Sequence, residues 1–148
     1  MNVDSELIEH MMNPKNYGTL ESADAQGIGK NPENGEKVAI FIRVGKDEDQ
    51  PYVDDIRFQA IGCTTTVVAG SMLTEEAKGL NFKGIYNLVD ATMNLLDKLP
   101  SEDAACSEMV ALAIRAAVDT YVKREIDPDF PAVTYQIASS CVPKEEEA

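Results

Sequence analysis

Three cysteines carry the most distinctive chemistry in this sequence. Cys63 follows a predicted strand and a glycine, at the start of a predicted helix, where the helix dipole favours a thiolate. Such a thiolate suits a nucleophile or a ligand for a soft metal. The same position also suits a structural cysteine under the sheet, because free cysteine is among the most buried residue types.

The other candidate residues have weaker support from position alone. Cys106 lies one turn into a helix predicted to begin at Ser101, and the acidic residues near it oppose a thiolate. Cys141 lies in the C-terminal segment, where position by itself gives it no role. Asn34 and Glu36 belong to a loop over residues 31–36, whose composition is typical of a turn.

Periodicity predicts the elements that position these residues. Residues 37–45 and 52–61 alternate between apolar and polar side chains and predict a β-hairpin, and a short edge strand is predicted near residues 25–29. Helices are predicted over residues 4–12, 64–79, 82–98 and 101–123. This order predicts an α+β fold, with helices packed on one face of a small antiparallel three-stranded sheet.

Length and charge limit the class of protein. A chain of 148 residues fits one domain, which we place at residues 1–124, with residues 125–148 as an appendage with an acidic end. A net charge of −13 argues against a nucleic-acid or anionic-membrane partner. No apolar run approaches the roughly 20 residues that span a bilayer. The few cysteines and the lack of a recognisable secretory signal predict a cytoplasmic protein.

Several ordered motifs then extend along residues 5–124. They are Ile8-Glu9-His10 with Asn13-Pro14-Lys15-Asn16-Tyr17-Gly18, Asp55-Ile56-Arg57-Phe58 with Gly62-Cys63, Leu73-Thr74-Glu75 with Lys78-Gly79, and Leu99-Pro100 before Cys106. In this order and spacing, the sequence resembles the U-type iron–sulfur cluster assembly scaffold family, which comprises IscU-like proteins and the N-terminal domain of NifU.

The resemblance implies a function and a set of ligands. Members of the family hold a nascent [2Fe–2S] cluster on three cysteines and a carboxylate or histidine, receive sulfur from a cysteine desulfurase, and pass the cluster on. The second and third cysteines of the family correspond to Cys63 and Cys106, and Glu36 takes the place of an aspartate. Asn34 stands where the family has its first cysteine.

Other family positions also differ in this chain. Ala105 stands where many members have histidine, and Asp103 replaces a lysine. The chaperone-recognition motif Leu-Pro-Pro-Val-Lys is here Leu99-Pro100-Ser101-Glu102-Asp103. We therefore expect no docking to an Hsp70 chaperone through this motif.

The substitution at Asn34 leaves the predicted site short of ligands. Iron–sulfur clusters and Zn²⁺ both favour four ligands, mostly thiolates. A homodimer can pool Cys63 and Cys106 from two subunits, or the C-terminal segment can bring Cys141 to the site, or the site holds no cluster. The predicted site for a cluster, or for a single iron or zinc ion, is therefore Cys63, Cys106 and Glu36, with Asn34 and Cys141 as further candidates.

Three functions remain open from the sequence. The first is a scaffold that binds iron or a cluster and accepts sulfur from the desulfurase. The second is a persulfide relay, in which Cys63 accepts sulfur and Cys106 resolves it as a disulfide. The third is a cluster-less regulatory paralogue that binds the desulfurase. None of these is an enzyme, because no set of base, nucleophile and oxyanion donors is recognisable beyond the cysteines.

Overall fold

Alternating apolar side chains build the sheet. The computed structural model describes residues 14–21, 23–31, 35–48, 50–61, 64–95 and 101–137, and within these residues four strands form one sheet. The strands are β1 (Ala25–Lys30), β2 (Lys37–Asp47), β3 (Gln50–Ile61) and β4 (Val133–Gln136), in the order β3-β2-β1-β4. The first three pair antiparallel, and β4 pairs parallel to β1.

Three helices pack on the buried face of this sheet. They are α1 (Thr64–Ala77), α2 (Phe82–Leu95) and α3 (Ser101–Ile126). Val38, Ile40 and Ile42 of β2 are fully buried and alternate with partly exposed residues, as the predicted hairpin requires. The α+β class and the packing of helices on one face are thus confirmed.

Two glycines let α3 lie directly on β1. A Cβ atom on Gly27 would lie 2.1 Å from the backbone nitrogen of Ala117, and one on Gly29 would lie 2.2 Å from the carbonyl oxygen of Met109. Only glycine permits such a close approach of two backbones. These contacts fix both the distance of α3 from the sheet and its direction along β1.

The prediction of three antiparallel strands was wrong, because β4 extends the sheet beyond β1 in the parallel sense. β1 is therefore an internal strand and not an edge. Side chains of α3 hold β4 in place: the Val133 N–H donates to Thr120 Oγ1 at 2.9 Å, and the Tyr135 hydroxyl donates to the Asp119 carboxylate. Part of the segment over residues 125–148 thus packs on the sheet, while the domain boundary at residue 124 stays a prediction.

The predicted helices after β3 correspond to α1, α2 and α3. The helix predicted over residues 4–12 lies outside the described residues. Of the helices that the structure describes, none is long and apolar enough to cross a membrane.

Candidate functional site

The thiol of Cys106 lies where α3 meets the first turns of α1. Thr66 is fully buried, and its hydroxyl donates a hydrogen bond of 3.1 Å to Cys106 Sγ, which is itself on a residue only 5% exposed. Because α1 begins at Thr64, Cys63 directly precedes it in the chain. Cys63 lies outside the described residues, but the three residues back from Thr66 span at most about 11 Å.

Glu36 ends a tight loop at the same end of the sheet. The Asn31 N–H donates to the Glu36 carbonyl at 2.9 Å, and the Gly35 N–H donates to the Asn31 carbonyl at 3.0 Å. Gly35 has a φ of 79°, a left-handed conformation that favours glycine. The next residue, Lys37, pairs with Ile61, the last residue of β3. Glu36 and the start of the segment that carries Cys63 therefore lie at one end of the sheet.

The direction of α3 brings Cys106 to this end as well. Met109 lies against Gly29, whereas Ala113 and Ala117 lie against Gly27, so α3 runs antiparallel to β1. Cys106 is three residues before Met109, which is about 4.5 Å of helix further towards the end of β1. The loop that begins at Asn31 continues from that same end.

The family motifs near residues 14–18 form a clamp between β3 and α1. The Lys15 N–H donates to Ser71 Oγ at 2.7 Å, and Asn16 Nδ2 donates to Thr74 Oγ1 at 3.1 Å. On the other side, the Phe58 N–H donates to the Asn16 carbonyl at 2.9 Å, and the rings of Tyr17 and Phe58 meet edge to face with centroids 5.1 Å apart. This clamp fixes α1 against the sheet.

The second motif contributes an ion-pair cluster to the same junction. Arg57 Nη1 lies 2.9 Å and Lys78 Nζ 3.3 Å from Asp55 Oδ1. Burial raises the pKa of Asp55, but the hydrogen bond from the Ile56 N–H and the charges of Lys78 and Arg57 outweigh it, so the pKa lies below its ordinary value. Lys78 follows α1, so this cluster fastens the C-terminal end of that helix to β3.

The structure brings Cys106 and Glu36 to the same end of the sheet. Cys63, Asn34 and Cys141 lie outside the described residues, and their roles as ligands stay predictions. Among the described residues, no group of three or more histidine, cysteine or acidic side chains could hold a metal ion. A complete site of this kind would therefore need ligands from outside them.

Sequence reasoning missed two buried residues of this region. Thr66 is one of them, since nothing in its position predicts a contact with a residue 40 positions later. Asn31 is 2% exposed at the start of the loop, a burial that the turn-like composition does not predict. The glycines at alternate positions 27 and 29 were a usable signal, because glycine inside a strand marks close approach of another backbone.

Comparison with known proteins assigns the family. Residues 3–127 match the model of the NifU-like N-terminal domain. The chain is 35% identical over 119 residues to the iron–sulfur cluster assembly scaffold protein IscU 1 of Archaeoglobus fulgidus, which covers 80% of this chain and 75% of that protein. It is 31% identical over 122 residues to the nitrogen fixation protein NifU of Azotobacter chroococcum, covering 82% of this chain and 39% of that protein.

A solved structure shows the same fold. The crystal structure of a nitrogen-fixing NifU-like protein (N-terminal) from Brucella abortus superimposes with a TM-score of 0.65 at 13% identity, over 80% of this chain and 92% of that one. The chain therefore belongs to the NifU-like N-terminal domain family, and the predicted membership of the U-type scaffold family is confirmed.

Proposed function

We propose that this protein is a scaffold on which an iron–sulfur cluster is assembled, with Cys63, Cys106 and Glu36 among the ligands. The observation that carries the proposal is the 3.1 Å contact between Thr66 Oγ1 and Cys106 Sγ. Thr66 lies only three residues after Cys63 in the chain. The two relatives, an iron–sulfur cluster assembly scaffold and a nitrogen fixation protein, support the same function.

The chemistry of these donors suits iron as cargo. Two thiolates and a carboxylate supply negative charge to iron ions, and thiolate ligands select for iron–sulfur clusters. The amides at the start of α1 favour a thiolate at Cys63. The Thr66 hydroxyl stabilises negative charge on Cys106 Sγ and fixes its orientation, as hydrogen bonds to ligand atoms do in metal sites.

The location of the site suits a cargo that is passed on. In this proposal the buried Cys106 forms the inner wall of a site that opens at the end of the sheet, where Ile61 at the end of β3 is 61% exposed. A recipient protein can approach a cluster there without unfolding the domain. We propose that the protein holds and transfers the cluster in the cytoplasm without catalysing a reaction of its own, and that a cysteine desulfurase supplies the sulfur.

Anaerobic reconstitution with iron and sulfide tests the proposal. We expect visible charge-transfer absorption and bound iron in the wild type, and loss of both in Cys63→Ser and in Cys106→Ser. Glu36→Gln should weaken iron retention, whereas Glu48→Gln, in the turn at the far end of the hairpin, should not. Unchanged absorption and iron content in both serine variants would contradict the assigned ligands.

Incubation with desulfurase and cysteine, followed by mass spectrometry, separates the alternatives. A scaffold should carry sulfur and then form a cluster when ferrous iron and a reductant such as dithionite are added, because persulfide sulfur must gain two electrons to become sulfide. Persulfide on Cys63 without any cluster would instead support a relay. Desulfurase regulation that survives replacement of both Cys63 and Cys106 would support a regulatory paralogue.

A further inference from the structure

Two lysines lie directly opposite each other at the end of the sheet where Glu36 lies. Lys30 of β1 pairs with Lys37 of β2, and Lys37 directly follows Glu36 in the chain. Side chains at such positions on neighbouring strands are about 5 Å apart, and like charges there destabilise the sheet. Proteins depart from such local rules mainly at functional sites, so this repulsion marks the pair as a candidate.

Among the residues that the structure describes, no carboxylate forms an ion pair with either lysine. Arg43 and Arg57, two further cations of the same face of the sheet, each lie within 3.1 Å of an aspartate carboxylate. Lys30 is exposed to solvent, and Lys37 is partly exposed. The two lysines therefore form a local patch of positive charge in a chain whose net charge is −13.

The lysine pair belongs to a row of side chains that crosses the sheet. Gln136 of β4 lies opposite Lys30, and Ile61 of β3 lies opposite Lys37. We call these four residues the lysine row. Neighbouring strands are about 4.8 Å apart, so Ile61 is about 10 Å from Lys30 along the row. Ile61 is among the most exposed large hydrophobic residues, and the row thus presents two positive charges beside an apolar side chain.

The face of the sheet that carries the lysine row has further apolar surface. The three described helices pack on the opposite face, against the buried side chains of the sheet. The next row on the open face places Ile28 opposite Ala39, and both residues are partly exposed. Successive rows on one face are about 7 Å apart. A helix about 10 Å wide that lies along the lysine row would therefore also cover Ile28 and Ala39.

The spacing of the lysine row matches one face of an α-helix. Helix residues i, i+3 and i+7 share a face, and the second and third lie about 4.5 Å and 10.5 Å along the axis from the first. The distances from Lys30 to Lys37 and to Ile61 are about 4.8 Å and 10 Å. We propose that the lysine row docks an acidic amphipathic helix of a partner protein, with carboxylates at i and i+3 opposite the lysines and an apolar side chain at i+7 against Ile61.

The position of the row indicates what such a partner does. Because Glu36 directly precedes Lys37, a helix docked on the row brings its protein to the proposed cluster site. The partner is then a protein that supplies sulfur to the site or receives the cluster, and in this respect the inference rests on the proposed function. The net charge of −13 repels an acidic protein elsewhere, so attraction at the two lysines also orients its approach.

Titration of a labelled helical peptide with the full chain, followed by fluorescence anisotropy, tests the inference. The peptide carries glutamate at i and i+3 and leucine at i+7. We expect binding that weakens as salt is added, and at least about fivefold weaker binding when Lys30→Gln and Lys37→Gln are combined. Lys46→Gln combined with Lys83→Gln is the matched control, because it removes the same charge from exposed lysines elsewhere, and it should bind as the wild type.

A stability measurement accompanies the binding measurement. Removing the repulsion between the two lysines should leave the urea midpoint of the Lys30→Gln and Lys37→Gln double variant unchanged or raise it. Weaker binding by a protein that is at least as stable supports a docking role, since unfolding cannot explain it. Weaker binding together with a lower urea midpoint would overturn the inference, because the lysines would then serve the fold.

Other outcomes separate the inference from the proposed function. Equal affinity of the wild type and the lysine double variant would overturn the inference, and so would equal binding of a peptide whose glutamates lie on opposite faces. Binding to vesicles of anionic lipid but not to the peptide would overturn it as well. Reconstitution with iron and sulfide should succeed in the lysine double variant. Failure of reconstitution in the wild type, with peptide binding intact, refutes the proposed function and leaves the docking surface.

Discussion

Replacing Gly29 by alanine would force a methyl group into the backbone of α3. The new Cβ atom would lie 2.2 Å from the Met109 carbonyl oxygen and 3.2 Å from the Ala113 nitrogen. Real Cβ atoms essentially never lie closer than 3.0 Å to another heavy atom, so α3 would have to move away from β1 by about 0.8 Å. No flexible side chain can absorb the clash, because both opposing atoms belong to the helix backbone.

The cost follows from this geometry. Overpacking a core costs about 1–3 kcal/mol and occasionally more. Since the helix must move as a unit and loses packing against β1 along its length, we expect Gly29→Ala to lower the free energy of unfolding by about 3 kcal/mol. Gly27→Ala should cost a similar amount, with a nearest contact of 2.1 Å.

Urea denaturation followed by far-ultraviolet circular dichroism measures this effect. Gly84→Ala is the matched control, because Gly84 lies in α2 and its added Cβ would meet nothing closer than 3.3 Å. We expect that change to leave stability unaltered or to raise it by up to about 1 kcal/mol, as alanine favours helix. A loss below about 1 kcal/mol in Gly29→Ala would refute the close approach of α3 to β1.

Three further predictions concern hydrogen bonds and titrating groups. Thr66→Val should lose about 1 kcal/mol of stability in urea and Thr66→Ser much less, because only serine keeps a hydroxyl donor to Cys106; equal losses would contradict the bond. Burial, followed by hydrogen bonding to Asp119, raises the pKa of the Tyr86 and Tyr135 phenols above their ordinary value. Their contribution to stability is therefore full below about pH 10 and is lost as the pH rises beyond it, so alkaline denaturation should be shallower when both are phenylalanine. The pKa of Asp55 is lowered, so its contribution is present above its unfolded pKa and lost as the pH falls through the folded one. Asp55→Asn should therefore flatten the acid side of the stability profile, below about pH 4, measured by thermal unfolding.

The sequence predicts the elements whose side chains follow a regular apolar pattern. The hairpin of β2 and β3 follows from alternation, since a buried face needs an apolar residue at every second position. β4 is different, because a strand of four residues carries little periodicity. Its parallel pairing depends on partners such as Thr120 and Asp119, which lie on a helix and are visible only after that helix is placed.

The candidate site likewise combines residues that the sequence identifies with contacts that depend on tertiary packing. Family motifs identified Cys63, Cys106 and Glu36 as candidates, yet the residues that make those motifs distinctive serve largely to hold elements together. Asn16 and Asp55, for example, tie β3 to neighbouring segments. The hydrogen bond from Thr66 to Cys106 joins residues 40 positions apart, so it depends on how α1 and α3 pack and not on either local sequence.

One helix positions both a proposed ligand and the last strand of the sheet. The small-residue face of α3 against β1 sets the place of Cys106, while Asp119 and Thr120, further along the same helix, hold β4. The two positions are therefore coupled through a rigid element of 26 residues.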